Sequence, residues 1–443
     1  MKRIMQLALG AALLVSGADA GAMARPPKDG EVEVTAKLTS PYITAEGGRA
    51  YLHLTIAARH RHPRPDRRPV NLAVVLDRSG SMSDAGKIEY ARAALHRLID
   101  QLSADDLFSL VIYDDVVEVA RHAAAVRDRR ALHALVDEIT PRNATNLGGG
   151  LVEGLRQAER NVRREYVNRV ILLSDGLANR GITDPHELAD IVRRYRQRGI
   201  SVTAMGVGLE YNENLMSLLA EHGGGNYYFI ESPGSLAGIF RKELNSIGAV
   251  YAQNCVIELR LGRGVRVADV IGSGYEGTEG SCRIPVGDLY AGESREVTVE
   301  LAVPPGSGTL DVARGAVQLE GAREAGTFAC SATYTRDRAA IAKGTDRDVQ
   351  GKVDVAVSTR TVETAMKALD EGRAEEAAQA LREAKAQLAA SPAAAAGGAP
   401  AEAVQSQVRR LESYEKTVAD SKDDARRAKK AIQESNINTQ KGR

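Results

Sequence analysis

Five consecutive apolar residues, 72–76, stop abruptly at Asp77 and restrict the folds that this chain can adopt. A strand that is apolar on both faces needs a sheet covered on both sides, which is typical of parallel sheets. A second segment of this kind, residues 170–174, is apolar up to Leu173 and is followed by Asp175. Between about residues 70 and 248, such runs alternate with segments whose apolar residues recur at helical spacing. This alternation predicts an α/β fold with a doubly wound, mostly parallel sheet.

The rest of the chain divides into segments with other patterns. Residues 31–57 alternate in hydrophobicity with period two, which predicts antiparallel strands. Glycine-punctuated strands in residues 249–335 predict a sandwich-like β-rich domain, which the N-terminal strands could complete. The predicted boundaries are 1–24 for a signal peptide, 25–69 for N-terminal strands and a basic linker, 70–248 for the α/β domain, 249–347 for the β-rich domain, 348–390 for a helical hairpin, 391–400 for a flexible linker, and 401–443 for a C-terminal helix with a polar tail that is disordered until bound.

The N-terminal 24 residues have the pattern of a secretory signal peptide. Lys2 and Arg3 precede an apolar stretch that is too short to span a bilayer, and small residues such as Ala18 and Ala20 follow it. No cysteine follows the apolar stretch to carry a lipid anchor, and no other stretch of the sequence is long and apolar enough for a transmembrane helix. We therefore expect a periplasmic or secreted protein.

Composition argues against one class of partner and leaves the cysteines open. The chain has 59 Lys and Arg against 58 Asp and Glu, a balance that gives no argument for nucleic-acid binding. Cys255, Cys282 and Cys330 all lie in the β-rich segment and lack the Cys-x-x-Cys spacing of a zinc site. In an oxidising compartment we expect one disulfide among them, with one thiol left over, and the sequence does not decide which pair forms.

Oxygen-bearing side chains follow both apolar strands. Asp77, Ser79 and Ser81 lie on a glycine-containing turn directly after the first strand, and Asp175 follows the second. Thr145 lies in the loop ATNLGGG, before a helix. Because ligands bind at the carboxyl ends of strands in open parallel sheets, we expect these loops to meet at one edge. Carboxylate and hydroxyl oxygens are suitable ligands for a small hard cation.

The sequences DRSGSM, TNLGGGL and ILLSDG, in this order and context, resemble a von Willebrand factor type A domain with a metal-ion-dependent adhesion site. The resemblance covers the predicted α/β domain. It implies that hydroxyl oxygens of Ser79, Ser81 and Thr145 hold Mg²⁺, with Mn²⁺ or Ca²⁺ as alternatives. It also implies that the carboxylates of Asp77 and Asp175 complete the set, often through water. The flanking segments resemble bacterial secreted proteins of this type and, more loosely, inter-alpha-trypsin inhibitor heavy chains.

The same residues do not predict an enzyme. Metal-assisted hydrolysis needs a general base or a second metal. Near the three loops the sequence offers no histidine, and no carboxylates beyond Asp84, which fits a helix cap, and Asp114-Asp115, which fit a turn. His96 and His133 lie within predicted helices, where surface or packing roles are expected rather than metal ligation.

Two functions follow from these patterns. In the first, an extracytoplasmic protein of adhesion type binds a protein partner, whose Asp or Glu side chain enters the coordination of Mg²⁺. In the second, the chain is a structural envelope or assembly scaffold. There the metal only stabilises the domain, and the β-rich region and the C-terminal helices make the contacts. Neutral hydroxyl ligands favour the first function, because they leave the ion electrophilic.

Overall fold

The computed structural model describes residues 32–58, 68–142, 144–278, 280–320, 326–418 and 422–441. The predicted signal peptide and residues 59–67 of the predicted basic linker lie outside this part of the chain. The described residues form an α/β domain, a β-sandwich and a group of C-terminal helices. None of the helices in these ranges is long and apolar enough to cross a membrane.

Strands and helices are numbered here in chain order. The strands are β1 (Val32–Leu38), β2 (Tyr42–Thr44), β3 (Gly48–Ala58), β4 (Val70–Asp77), β5 (Leu107–Tyr113), β6 (Val117–Ala125), β7 (Val167–Ser174), β8 (Ile200–Val207), β9 (Gly224–Ile230), β10 (Val250–Leu261), β11 (Arg266–Ile271), β12 (Glu276–Thr278), β13 (Ser281–Tyr290), β14 (Ser294–Val303), β15 (Thr309–Glu320) and β16 (Thr327–Thr335). The α-helices are α1 (Lys87–Gln101), α2 (Arg129–Asp137), α3 (Leu147–Glu159), α4 (Pro185–Arg196), α5 (Glu213–Gly223), α6 (Leu236–Gly248), α7 (Arg338–Gly344), α8 (Arg347–Asp370), α9 (Ala374–Ala389), α10 (Gly398–Val418) and α11 (Lys422–Gln440). A 3₁₀ segment, Gly80–Gly86, precedes α1.

The α/β domain is built on a sheet with the strand order β6-β5-β4-β7-β8-β9. Neighbouring strands are parallel, except for the antiparallel pair of β5 and β6. Every residue of β4, β7 and β8 is buried, because α1, α2 and α6 cover one face of the sheet and α3, α4 and α5 cover the other. The predicted doubly wound α/β fold is confirmed. The strand order reverses between β4 and β7, the place where ligand sites form in such sheets.

The β-rich part is a sandwich whose strands come from both sides of the α/β domain in the sequence. One sheet has the order β1-β3-β14-β11, and the other has the order β12-β13-β10-β15-β16-β2. Strand β3 pairs antiparallel with β14, from Ala57 opposite Ser294 to Gly48 opposite Val303. The N-terminal strands therefore complete the β-rich domain.

The three cysteines are free and buried in the core of this sandwich, so the expected disulfide does not form. Strand pairing separates them, since Cys255 lies opposite Gly287, Cys282 opposite Leu259, and Cys330 opposite Ala313. Burial raises the pKa of Cys255 to about 12 and the pKa values of Cys282 and Cys330 to about 11. The thiols therefore stay protonated at neutral pH and act as small apolar core residues.

The C-terminal helices differ from the predicted linker and tail. In segment 391–400, predicted as a flexible linker, Ala393 packs into the core that α8, α9 and α10 share, and α10 begins at Gly398. The predicted polar tail is helical up to Gln440, because its polar side chains have partners within the chain. Asn436 Nδ2 donates to Thr359 O at 3.1 Å, for example.

Helix α11 also covers β9, which is an edge strand of the α/β sheet. The Phe229 backbone N–H donates to Glu434 Oε2 at 3.2 Å, and Lys441 Nζ donates to Gly225 O at 2.7 Å. Edge strands present unpaired backbone groups to solvent and to other chains. Side chains of α11, together with Lys441 just beyond it, therefore satisfy part of this edge.

A fully buried ion pair joins the α/β domain to the sandwich. Arg169 of β7 donates from Nη2 to Asp288 Oδ2 of β13 at 2.7 Å, and the two side chains are 0% and 1% exposed. The Ser201 hydroxyl and the Asn254 backbone N–H also donate to Asp288. Loss of the guanidinium would therefore leave a carboxylate charge in the protein interior.

We expect Arg169→Leu to lower the free energy of unfolding by about 3–5 kcal/mol, because Asp288 would remain buried without its counter-charge. Arg198→Leu is the matched control. It removes the exposed ion pair with Glu159 and should cost less than about 1 kcal/mol. Urea denaturation followed by circular dichroism measures both variants, and equal losses would contradict the role of Arg169.

Candidate metal site

The two carboxylates of the predicted site follow neighbouring parallel strands. Strands β4 and β7 pair in a register that places Leu76 opposite Leu173, so Asp77 at the end of β4 stands beside Ser174. Asp175 is the first residue after β7. Both aspartates are fully buried. The central strand pair therefore brings two acidic side chains to one edge of the sheet.

The serines of the first loop connect these two carboxylates. The Ser79 backbone N–H donates to Asp77 Oδ1 at 2.8 Å. Ser79 Oγ lies 3.2 Å from Ser81 Oγ, and Ser81 Oγ donates to Asp175 Oδ1 at 2.8 Å. Hydrogen bonds of Ser79 and Ser81 thus connect the end of β4 to the end of β7.

Thr145 is joined to the loop after β7. Its backbone N–H donates to Asn179 Oδ1 at 3.1 Å, and its carbonyl accepts from the Asn179 N–H at 3.2 Å. The hydroxyl faces the residue after Asp175, because a Cβ atom at Gly176 would lie 3.4 Å from Thr145 Oγ1 and 3.8 Å from Ser81 Oγ. The five residues predicted as ligands are therefore brought together.

Glycines let helix α3 approach the site closely. The helix begins at Leu147, so the glycine triplet belongs to its first turns. A Cβ atom at Gly148 would lie 2.3 Å from Ile182 O, and one at Gly150 would lie 2.5 Å from Tyr113 Cδ1. A larger side chain at either position would push α3, and Thr145 before it, away from the sheet.

Two residues outside the predicted ligand set hold Asp77. Ser174 Oγ donates to Asp77 Oδ2 at 2.7 Å, and the Tyr113 hydroxyl donates to the same oxygen at 3.3 Å. Burial raises the pKa of Asp77 to about 6, and the charge of Asp175 adds to the rise, although hydrogen bonds from Ser174 and Ser79 oppose it. A cation beside these carboxylates would offset both the burial of the Asp77 charge and its repulsion by Asp175.

Arg78 ties the first loop to the turn between β5 and β6. Its Nε donates to Asp114 Oδ2 at 2.8 Å, and Asp114 is fully buried. The Asp114 carbonyl accepts from the Asn146 N–H at 2.7 Å, next to Thr145. The Val116 N–H donates to Asp114 Oδ1, as expected for a turn residue. The ion pair with Arg78 was not predicted, because nothing in the sequence pairs these two positions.

Lys87, the first residue of α1, places a positive charge in the site. Its Nζ lies 2.6 Å from Asp175 Oδ2 and 3.3 Å from the carbonyl oxygen of Ser81. The Lys87 side chain is only 12% exposed. The ammonium group therefore compensates the charge of Asp175. Its position at the start of a helix gave no indication of this role.

The donor set fits a small hard cation. It combines three neutral hydroxyls with two carboxylates, and oxygen is the ligand atom that Mg²⁺ prefers. The Lys87 ammonium shows that this place accepts a positive charge. Within the described ranges, no group of three or more His, Cys, Asp or Glu side chains is arranged to hold a metal ion. The predicted set contains only two side chains of those types.

Three residues were considered above as possible catalytic groups: Asp84, His96 and His133. Asp84 is exposed in the 3₁₀ segment and does not cap α1 as expected, because Gly86 occupies the N-cap position. His96 and His133 lie on α1 and α2, where their rings contact each other. The structure gives none of these three residues a contact with the candidate ligands.

Known proteins match the central part of this chain. A family model of the von Willebrand factor type A domain matches residues 71–242. The chain is 25% identical over 251 residues to the uncharacterized protein YfbK of Escherichia coli (strain K12), which covers 55% of this chain and 44% of that protein. It is 25% identical over 207 residues to the inter-alpha-trypsin inhibitor heavy chain H3 of Mesocricetus auratus, over 43% of this chain and 23% of that protein. The chain thus spans less than half the length of these two relatives.

A solved structure agrees with the fold over most of the chain. The von Willebrand factor type A protein from Catenulispora acidiphila superposes with a TM-score of 0.69 at 18% identity, and the match covers 88% of this chain and 91% of that one. The looser resemblance to inter-alpha-trypsin inhibitor heavy chains is also confirmed. Residues 71–242 of this chain therefore match the von Willebrand factor type A domain family.

Proposed function

We propose that this chain is an extracytoplasmic, metal-dependent binding protein of adhesion type. Proteins with this domain generally mediate metal-dependent protein interactions or adhesion. One observation carries the proposal. The side-chain oxygens of Ser79, Ser81 and Asp175 are in contact, at 3.2 and 2.8 Å, where two parallel strands end. Asp77 and Thr145 supply the remaining ligand oxygens.

The residues around these oxygens fix their positions. Ser174 and Tyr113 orient Asp77, and Asn179 fixes Thr145. Mg²⁺ bound here would supply an electrophilic position that the Asp or Glu side chain of a protein partner can enter. Neutral hydroxyls leave more of the ion's charge to that partner than additional carboxylates would.

Exposed apolar side chains at the same edge of the sheet support a protein partner. Val116, in the turn after β5, is 57% exposed, and Leu177, in the loop after β7, is 55% exposed. Both residues follow strands that end beside the candidate ligands. A protein partner can bury these two apolar side chains around its contact with the metal.

The alternative scaffold function has less support. Helices α8, α9 and α10 share a core that includes Ile432 of α11, so they use their apolar faces within the chain. Lys430 of α11 pairs with Glu213 of α5, which ties the helices to the α/β domain. We therefore assign the external contact to the metal edge rather than to these helices.

Ser79→Ala should lower the affinity for Mg²⁺ by about tenfold or more, because one hydroxyl ligand is lost while both buried carboxylates remain. Isothermal titration calorimetry measures the change. Ser83→Ala is the matched control, since it removes an exposed hydroxyl of the 3₁₀ segment that follows Ser79, one that donates to Gly80 O.

The same pair of variants tests the partner. In a pull-down from envelope extract, wild type and Ser83→Ala should capture a protein that is released by a chelator, and Ser79→Ala should not. Capture that persists in Ser79→Ala and in chelator would contradict metal-dependent binding. It would favour the scaffold function.

Lys87→Met should raise the affinity for Mg²⁺ by about tenfold, because the ammonium group that pairs with Asp175 no longer competes with the ion. Calorimetry measures this change as well. Lys416→Met, which alters an exposed lysine of α10, should leave the affinity unchanged. An unchanged or lower affinity in Lys87→Met would show that the lysine does not compete.

Stability should depend on pH through Asp77. Its pKa is about 6 in the folded chain, above the ordinary value of 3.8, so the folded state binds the extra proton between these two pH values. The free energy of unfolding therefore falls as pH rises through this window, by up to about 3 kcal/mol. Mg²⁺ should remove this loss and raise the melting temperature more at pH 7.5 than at pH 4.5.

Thermal unfolding with and without Mg²⁺ measures the effect. Asp77→Asn is the control, because it has no carboxyl group to titrate and should show a flatter pH dependence. The same slope in wild type and Asp77→Asn would assign the pH dependence to another group.

A further inference from the structure

Helices α1 and α2 carry the same short pattern on facing surfaces. In α1, His96 is followed four residues later by Asp100, and in α2, His133 is followed four residues later by Asp137. Residues four apart lie on one face of a helix. The two helices therefore present a histidine and an aspartate each to a shared surface, away from the strand ends that hold the candidate Mg²⁺ ligands.

The contacts between the two patterns are crosswise. His96 Nε2 lies 3.0 Å from Asp137 Oδ1, and His133 Nε2 lies 3.0 Å from Asp100 Oδ1. A carboxylate accepts hydrogen bonds, so each Nε2 carries its proton and donates it. Both Nδ1 atoms are then left with a lone pair. Each histidine is thus held in one tautomer by the aspartate of the other helix.

The two Nδ1 atoms face each other at 2.7 Å, with the ring centroids 4.9 Å apart. Two lone pairs at this distance repel unless a proton or a metal ion lies between them. At a metal–nitrogen distance of about 2.0 Å, two ligands at a right angle lie about 2.8 Å apart. The observed separation therefore suits two neighbouring ligands of one ion.

We propose that His96 and His133 form a binding site for a late first-row divalent cation such as Cu²⁺, Ni²⁺ or Zn²⁺. Imidazole nitrogen is a preferred ligand of these ions, whereas Mg²⁺ prefers oxygen. Metal-bound histidines usually donate their other N–H to a carboxylate, which is the arrangement of Asp100 and Asp137. Both histidine side chains are 29% exposed, so water can fill the remaining coordination positions.

Cu²⁺ is the probe for this site, because its electron paramagnetic resonance spectrum reports nitrogen ligands. The full chain is titrated with Cu²⁺ in excess Mg²⁺, which keeps the oxygen site occupied. We expect one equivalent of Cu²⁺ to bind per chain and to give the spectrum of an ion with two imidazole nitrogen ligands. His96→Gln and His133→Gln should each lose this two-nitrogen spectrum. His186→Gln, which replaces an exposed histidine of α4, is the matched control and should retain the spectrum.

The aspartates provide an independent test. Asp100→Asn and Asp137→Asn should weaken Cu²⁺ binding by about 10–100-fold and keep two nitrogen ligands, because these residues position the rings without binding the ion. Both side chains are more than half exposed, so the variants should fold, and circular dichroism checks this. A two-nitrogen spectrum that persists in either histidine variant, or that is absent in wild type, would overturn the proposal. Unchanged affinity in both aspartate variants would overturn the assigned geometry.

Discussion

The burial of two carboxylates, Asp77 and Asp175, at the ends of neighbouring central strands is the constraint on which the candidate site of the α/β domain depends. Both are placed at the end of a central strand, where the backbone offers few partners for a charged side chain. The chain stabilises them in different ways. Asp77 accepts hydrogen bonds from Ser174, Tyr113 and the Ser79 backbone, and still has a raised pKa. Asp175 has a full counter-charge in Lys87.

This difference suggests how one site can exist with and without an ion. The lysine satisfies Asp175 when no ion is bound, so the buried carboxylate does not destabilise the fold. Within the part of the chain that the structure describes, Asp77 has no such counter-charge, and part of the cost of burying its charge remains until a cation binds. The binding of the ion is therefore linked to the stability of the domain through the carboxylate of Asp77.

Sequence alone predicted the fold class of the domain and the five candidate ligands, because both depend on local patterns. A strand that is apolar on both faces identifies a parallel sheet, and four of the candidate ligands stand at or just after the ends of two such strands. Thr145, before a helix, was included because its loop resembles the family motif. The partners of those residues were not predictable. Lys87, Arg78 and Asp114 act through contacts between segments that only the folded chain brings together. The helical tail and the free cysteines were mispredicted for a related reason. Asn436 finds a buried partner, and strand register keeps the cysteines apart.

The pairing of β3 with β14 has a consequence for how the chain is made. His53 contacts Thr298 across this pair at 3.1 Å, although 245 positions separate them in the sequence. A ribosome completes β2 and β3 long before β16 and β14, their later partners, emerge, and it completes the whole α/β domain in between. The edge of β3 that pairs with β14 therefore stays without that partner while the α/β domain folds. The α/β domain then brings its two ends together, and so shortens the loop that the sandwich has to close.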